Sequence, residues 1–121
     1  LENIFMNQPI KISNNELIDM LISLNLIEKE SDSSLFLETK INENGSNFSG
    51  GELQRISVLR GLVQNKELLC LDEPTASISD KATQDLLNYI KNKWIIKENR
   101  RVIIATHDKN IYKYASKIIS L

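Results

Sequence analysis

The stretch that most constrains the fold is Leu68-Leu69-Cys70-Leu71-Asp72-Glu73-Pro74. An uninterrupted apolar run of this length reads as a strand covered on both faces, the pattern of a parallel sheet flanked by helices. Two carboxylates follow at its C-terminal end, the edge where open α/β sheets bind ligands. Pro74 then ends ladder pairing. A carboxylate at such an edge can hold Mg²⁺ beside phosphates, and a second one beside it can polarise a water. The alternative is a pair of solvated acids in a surface turn.

Upstream stands Phe48-Ser49-Gly50-Gly51-Glu52-Leu53-Gln54-Arg55. Ser49, Gly50 and Gly51 directly precede a helical run from Glu52 to Gln64, whose apolar stripe is Leu53, Ile56, Leu59, Leu62 and Val63. A helix N-terminus offers unpaired N–H groups and partial positive charge. Glycines let an anion approach the backbone, and Ser49 adds a hydroxyl donor. The arrangement suits a phosphate, although an isolated Ser-Gly-Gly is also an ordinary turn.

Together these runs resemble the ATP-binding-cassette ATPases. FSGGELQR resembles their signature motif and LLCLDEPTAS their Walker B strand. Ser77-Ile78-Ser79-Asp80 resembles the D-loop, and His107, after Arg101-Val-Ile-Ile-Ala-Thr106, resembles the switch histidine. Four motifs in order and at the right spacing are far more specific than any one alone. Leu1 to Phe5 resembles the segment after the Q-loop in exporter-type cassettes. Thr39 to Gly45 resembles the segment before the signature that contacts the membrane domain, with Asn42 and Asn44 departing from the commoner residues. Glu52 stands where the family most often has glutamine. The motif G-x-x-x-x-G-K-[ST] does not occur in these 121 residues, whose glycines are Gly45, Gly50, Gly51 and Gly61. The reading is therefore the C-terminal part of a cassette domain, without Walker A and the Q-loop.

The resemblance implies a partial P-loop NTPase fold of class α/β: parallel strands flanked by helices, plus part of the helical subdomain. Residues 1–47 would belong to the helical subdomain and pre-signature loop, and 48–121 to the signature helix and the C-terminal part of the RecA-like core. It implies ATP and Mg²⁺ as cofactors. Asp72 would hold the metal, Glu73 would be the general base, and His107 would contact the terminal phosphate. Ser49, Gly50 and Gly51 would bind nucleotide held by an opposite subunit, and Asp80 would link the two sites. The partners implied are a second nucleotide-binding domain and the transmembrane domain of an exporter-type transporter, at the cytoplasmic face of the membrane. The 121 residues alone are expected to be inactive. A lobe of a DNA-repair or chromosome-maintenance ATPase is the second reading, and a non-catalytic dimerisation module the third.

Composition is consistent with a globular domain: 41% hydrophobic and 26% charged. A net charge of −1 leaves no basic footprint for nucleic acid. One cysteine, Cys70, excludes an internal disulfide and is expected to be an inert core thiol. Ser13 and Glu16 form a capping box before an amphipathic helix from Asn14 to Leu26. Glu28 to Asn47 reads as loop. Ser79 or Asp80 should cap a helix reaching about Lys97, with Trp94 in its apolar stripe. Arg101 to Thr106 reads as a second buried strand, Asn110 to Ala115 as a short helix and Lys117 to Leu121 as a third strand. Apolar strands lacking cover should leave an exposed apolar face that promotes self-association.

Overall fold

A computed structural model describes residues 12–120. The sequence reading at Leu1 to Phe5 falls outside these residues. Helix α1 spans Asn14–Ser23 and opens on the expected capping box: the Ser13 hydroxyl accepts from the Glu16 N–H, and the Glu16 side chain accepts from the Ser13 N–H. Its inward face is Leu17, Ile18, Met20 and Leu21.

The polar stretch from Glu28 to Asn47 is more structured than its composition suggests. It holds a 3₁₀ turn at Glu30–Asp32, helix α2 at Ser33–Glu38 and a second 3₁₀ turn at Glu43–Gly45. The reason is local bonding by short polar side chains. Asn47 bridges the loop, accepting from the Asn42 N–H at 3.0 Å and donating to the Lys40 carbonyl at 2.8 Å. Phe36 of α2 meets Phe48 edge-on, with centroids 6.2 Å apart.

Helix α3 spans Gly50–Val63, so its first turn is the glycine pair itself. Ile56, Val58, Leu59, Leu62 and Val63 are buried. Leu53, at the top of the stripe, lies under the loop: a Cβ on Gly45 would sit 2.8 Å from its side chain, and Gly45 has φ +66°. No side chain fits there without displacing Leu53.

Strand β1 (Leu68–Asp72) pairs in parallel with β2 (Arg101–Ala105), Leu68 opposite Arg101 and Asp72 opposite Ala105. Helix α4 (Asp80–Tyr89) runs between them, capped by the Ser79 hydroxyl, and continues as a π-helix over Ile90–Lys97. Trp94 is buried as expected, with the Arg100 guanidinium 4.2 Å from its ring centroid. Lys109–Tyr114 is a 3₁₀ helix, where an ordinary helix was expected. The third strand is not present among the described residues: 117–120 form no ladder, and Ile118 and Ile119 are exposed.

One core joins these elements. Leu21 of α1, Leu24 just after it, Leu59 and Leu62 of α3, Leu69 of β1, and Leu86, Ile90 and Trp94 form one buried cluster across the Asn47–Phe48 junction. One sheet face is covered and the other is open, the exposed apolar face expected for strands lacking cover. Leu69 and Leu71 face this cluster, whereas Leu68 (48% exposed), Cys70 and Ile103 (58% exposed) lie open on the other side. Cys70 is therefore an exposed thiol and not a core one. The cause is the two-face geometry of a strand: the apolar run supplies both faces, and the helices described here cover one.

Candidate functional site

Parallel pairing brings the C-terminal ends of β1 and β2 to one edge. The ladder continues one step beyond β1, where the Glu73 N–H donates to the Ala105 carbonyl at 2.8 Å. Glu73 then turns the chain with φ +42°, a left-handed conformation that is uncommon outside glycine, asparagine and aspartate. This turn aims the Glu73 carboxylate across the edge. The Thr106 hydroxyl donates to its Oε2 at 3.0 Å, and the His107 N–H donates to its Oε1 at 2.9 Å. The His107 Nε2 lies 3.9 Å from the same Oε1, and the imidazole is otherwise fully in solvent. Each carboxylate oxygen thus has one protein donor and keeps a lone pair facing outward.

The chain around this edge is held firmly. Pro74 and Thr75 are buried. The Glu73 carbonyl accepts from the Ala76 N–H at 3.3 Å and from the Gln54 side-chain amide at 3.2 Å. Asp108 accepts from the Asn110 N–H, capping the following 3₁₀ helix, and its own N–H donates to the Thr106 hydroxyl. Asp72 is exposed at the end of β1.

The start of α3 is built differently. Ser49 is its N-cap, and its hydroxyl oxygen accepts from the Glu52 N–H at 3.2 Å. The Ser49 N–H and hydroxyl both donate to Glu52 Oε2, at 2.7 and 2.6 Å. The hydrogen bonds from the Ser49 hydroxyl and then the Ser49 N–H hold the Glu52 carboxyl below the usual carboxylate range. The anion-seeking N-terminus thus already carries a carboxylate. Gly50 is open, with nothing within 4 Å of where a Cβ would stand. Gly51 is packed: a Cβ there would lie 2.6 Å from the Ser77 carbonyl oxygen. Its smallness lets α3 approach the loop after Pro74.

The sequence matches the family model described as ABC transporter over residues 2–76, more than half of the chain. The chain belongs to the ABC transporter family. An HrtA-type ATP-binding protein of Staphylococcus epidermidis, assigned to hemin import, is 34% identical over 94 residues, 77% of this chain and 41% of that protein. The macrolide export ATP-binding/permease protein MacB of Bartonella quintana is 34% identical over 82 residues, 68% of this chain and 12% of that protein. Among solved structures, the dimeric ATP-binding cassette MJ0796 bound to ADP and Pi superposes with TM-score 0.62 at 26% identity, covering 94% of this chain and 46% of that one. The chain therefore spans about two fifths of the HrtA relative's length. The fold is that of part of an ABC cassette, an α/β fold of the P-loop NTPase class.

Within this family fold, the cassette motifs fall into two groups. Asp72, Glu73 and His107 share the C-terminal sheet edge. Ser49, Gly50 and Gly51 form the first turn of α3, with Gly51 against the Ser77–Ile78 loop. Asp80 begins α4, exposed, one residue after the Ser79 cap. Two contributors to the edge carry no role in the sequence reading. Thr106 precedes the histidine, and a hydroxyl at a strand end beside a carboxylate-bearing strand is the signal that could have marked it. Gln54 gives no such signal, because only the approach of α3 to the turn at Glu73 reveals its contact.

A divalent cation fits what is present. Asp72 is an exposed carboxylate, a hard oxygen donor. No cluster of three or more His, Cys, Asp or Glu occurs among the described residues. One carboxylate with water and substrate phosphates is the usual Mg²⁺ shell, so such a site needs no all-protein cage.

Proposed function

We propose that this chain supplies the signature helix and the hydrolytic edge of an ABC transporter's ATPase. The carrying observation is the Glu73 carboxylate, held by Thr106 and the His107 N–H on the sheet edge it shares with Asp72. In this reading Glu73 is the general base for water attacking the γ-phosphate of ATP. Its remaining lone pairs point away from the two protein donors, where a water can sit. The exposed His107 imidazole contacts the γ-phosphate and orients the water. Asp72 would hold Mg²⁺, which when bound would supply positive charge to offset that on the phosphates.

Ser49, Gly50 and Gly51 meet the nucleotide held by a second cassette. Glu52 now occupies the Ser49 donors, so phosphate binding exchanges one anion for another at the helix N-terminus. Asp80, exposed at the start of α4, lies at the contact between cassettes. Dimerisation is supported by the dimeric assembly of the MJ0796 cassette. A membrane-domain partner is supported by the transporter names of the relatives. No described helix is long and apolar enough to cross a membrane. The likeness to MacB supports export, although the HrtA relative is assigned to import, and the reading places the ATPase at the cytoplasmic membrane face. In this reading residues 1–47 belong to part of the helical subdomain and the pre-signature loop, and 48–121 to the signature helix and the C-terminal part of the RecA-like core. Net charge of −1 argues against a DNA-handling lobe.

The test is ATP turnover by the full-length protein. Glu73→Gln keeps shape and hydrogen bonding but removes the base, and should lower kcat about 100-fold or more, the scale of a positioned general base. Turnover within threefold of wild type contradicts the assignment. The 121 residues alone, with no phosphate loop, should show no turnover.

A further inference from the structure

We propose that Gln54 is a positioning residue for Glu73, acting through the backbone. Its side-chain amide donates to the Glu73 carbonyl oxygen at 3.2 Å, in a partly buried contact nineteen residues away in sequence. That carbonyl belongs to the residue with φ +42°, a conformation that a side-chain-bearing residue keeps only where its surroundings hold it. Three bonds fix the backbone on the two sides of Glu73. The Glu73 N–H is tied to Ala105, and the carbonyl is tied to Ala76 and Gln54. The first two come from the strand pair and the turn itself. Gln54 alone reaches in from another element, α3, which the Gly51–Ser77 approach holds against the same loop.

The strained angle is φ, the rotation about N–Cα that carries the carbonyl and Cβ together. Relaxing φ without the Gln54 bond would therefore turn the side chain as well and draw the carboxylate off Thr106 and the His107 N–H. The His107 N–H bond to Oε1, 2.9 Å, is therefore a reporter of whether Glu73 stands in place. Gln54 touches neither the carboxylate nor His107, so its effect on them is indirect.

The catalytic consequence rests on the ATPase reading above, but the positioning does not, and two readouts separate them. The first is hydrogen exchange of the His107 amide in this chain, referred to the amide of the fully buried Leu59. Gln54→Met keeps length and removes the donor, and should speed exchange at His107 about tenfold relative to Leu59. Gln54→Lys keeps an N–H donor of similar reach and should stay within about twofold of wild type. Equal behaviour of the Met and Lys variants overturns the proposal. So does an equal loss at His107 and Leu59, which marks a general stabiliser. The second readout is ATP turnover by the full-length protein, where Gln54→Met should lower kcat about tenfold with KM unchanged, since a misplaced base affects the transition state and not ground-state binding. A shifted His107 exchange in a full-length protein without any ATP turnover leaves the positioning intact and removes the ATPase reading.

Discussion

The two glycines of α3 do different work, and the difference can be measured. Gly51 lies so close to the loop that an added Cβ would stand 2.6 Å from the Ser77 carbonyl oxygen, a backbone atom that cannot swing aside. Gly51→Ala should therefore destabilise the chain by about 1–3 kcal/mol in urea denaturation, the usual range for an overpacked contact. Gly50 meets nothing within 4 Å. Gly50→Ala should be neutral or stabilise by up to about 1 kcal/mol, because alanine is the better helix former. The sequence places both glycines at a helix start, but the distinction between an open position and a packed one depends on where Ser77 lies. The same limit hides Gln54. Adjacent acids after an apolar run show Asp72 and Glu73 plainly, whereas a glutamine inside a helix looks like any solvated side chain until the turn at Glu73 is set against it.

The helices α1 and α3 open on the same device, Ser-x-x-Glu; the sequence reading named it at Ser13–Glu16, while at Ser49–Glu52 it read a phosphate site and the structure shows the box. In each, hydrogen bonds from the cap serine hold the glutamate below its ordinary value: the backbone bond from Ser13 leads for Glu16, the Ser49 hydroxyl bond for Glu52. A carboxyl lowered on folding adds stability above its unfolded value, here 4.5, and loses it as pH falls through the folded value. Thermal stability should thus drop as pH falls from about 5 toward 3, as these two carboxyls take up protons. In the double variant Glu16→Gln, Glu52→Gln the drop should be shallower; an unchanged pH profile contradicts the role of the two boxes. The polar segment before α3 was not legible in this way. Its helix and turns depend on Asn47 bridging Lys40 and Asn42, and on Phe36 meeting Phe48, contacts that leave no periodic signal.

At the scale of the whole chain, the parallel pair carries an apolar face that the described helices leave open: Leu68, Cys70 and Ile103. The run of apolar residues announces a strand that needs two covers. It does not say how many covers are present, and this is why Cys70 was expected in a core. Such a face should drive association of the 121-residue chain at high concentration. Light scattering should show species above the monomer mass, reduced by Ile103→Lys, and a monomeric profile throughout contradicts this. The same sheet edge that orders Glu73, Thr106 and His107 is open toward solvent, while Ser49 and Gly50 lie exposed at the head of α3. Under the proposed function these two surfaces belong to one nucleotide site only when two copies meet.

Subunit complementation tests that claim most directly. Full-length Ser49→Arg and full-length Glu73→Gln should each be inactive, one losing the phosphate-facing helix start and the other the base. Mixed in equal amounts and allowed to exchange, they should recover roughly a quarter of wild-type ATP turnover, because about half of random dimers are mixed and each holds one intact site. A mixture no more active than its two components would show that the helix start and the base do not serve one nucleotide across the dimer.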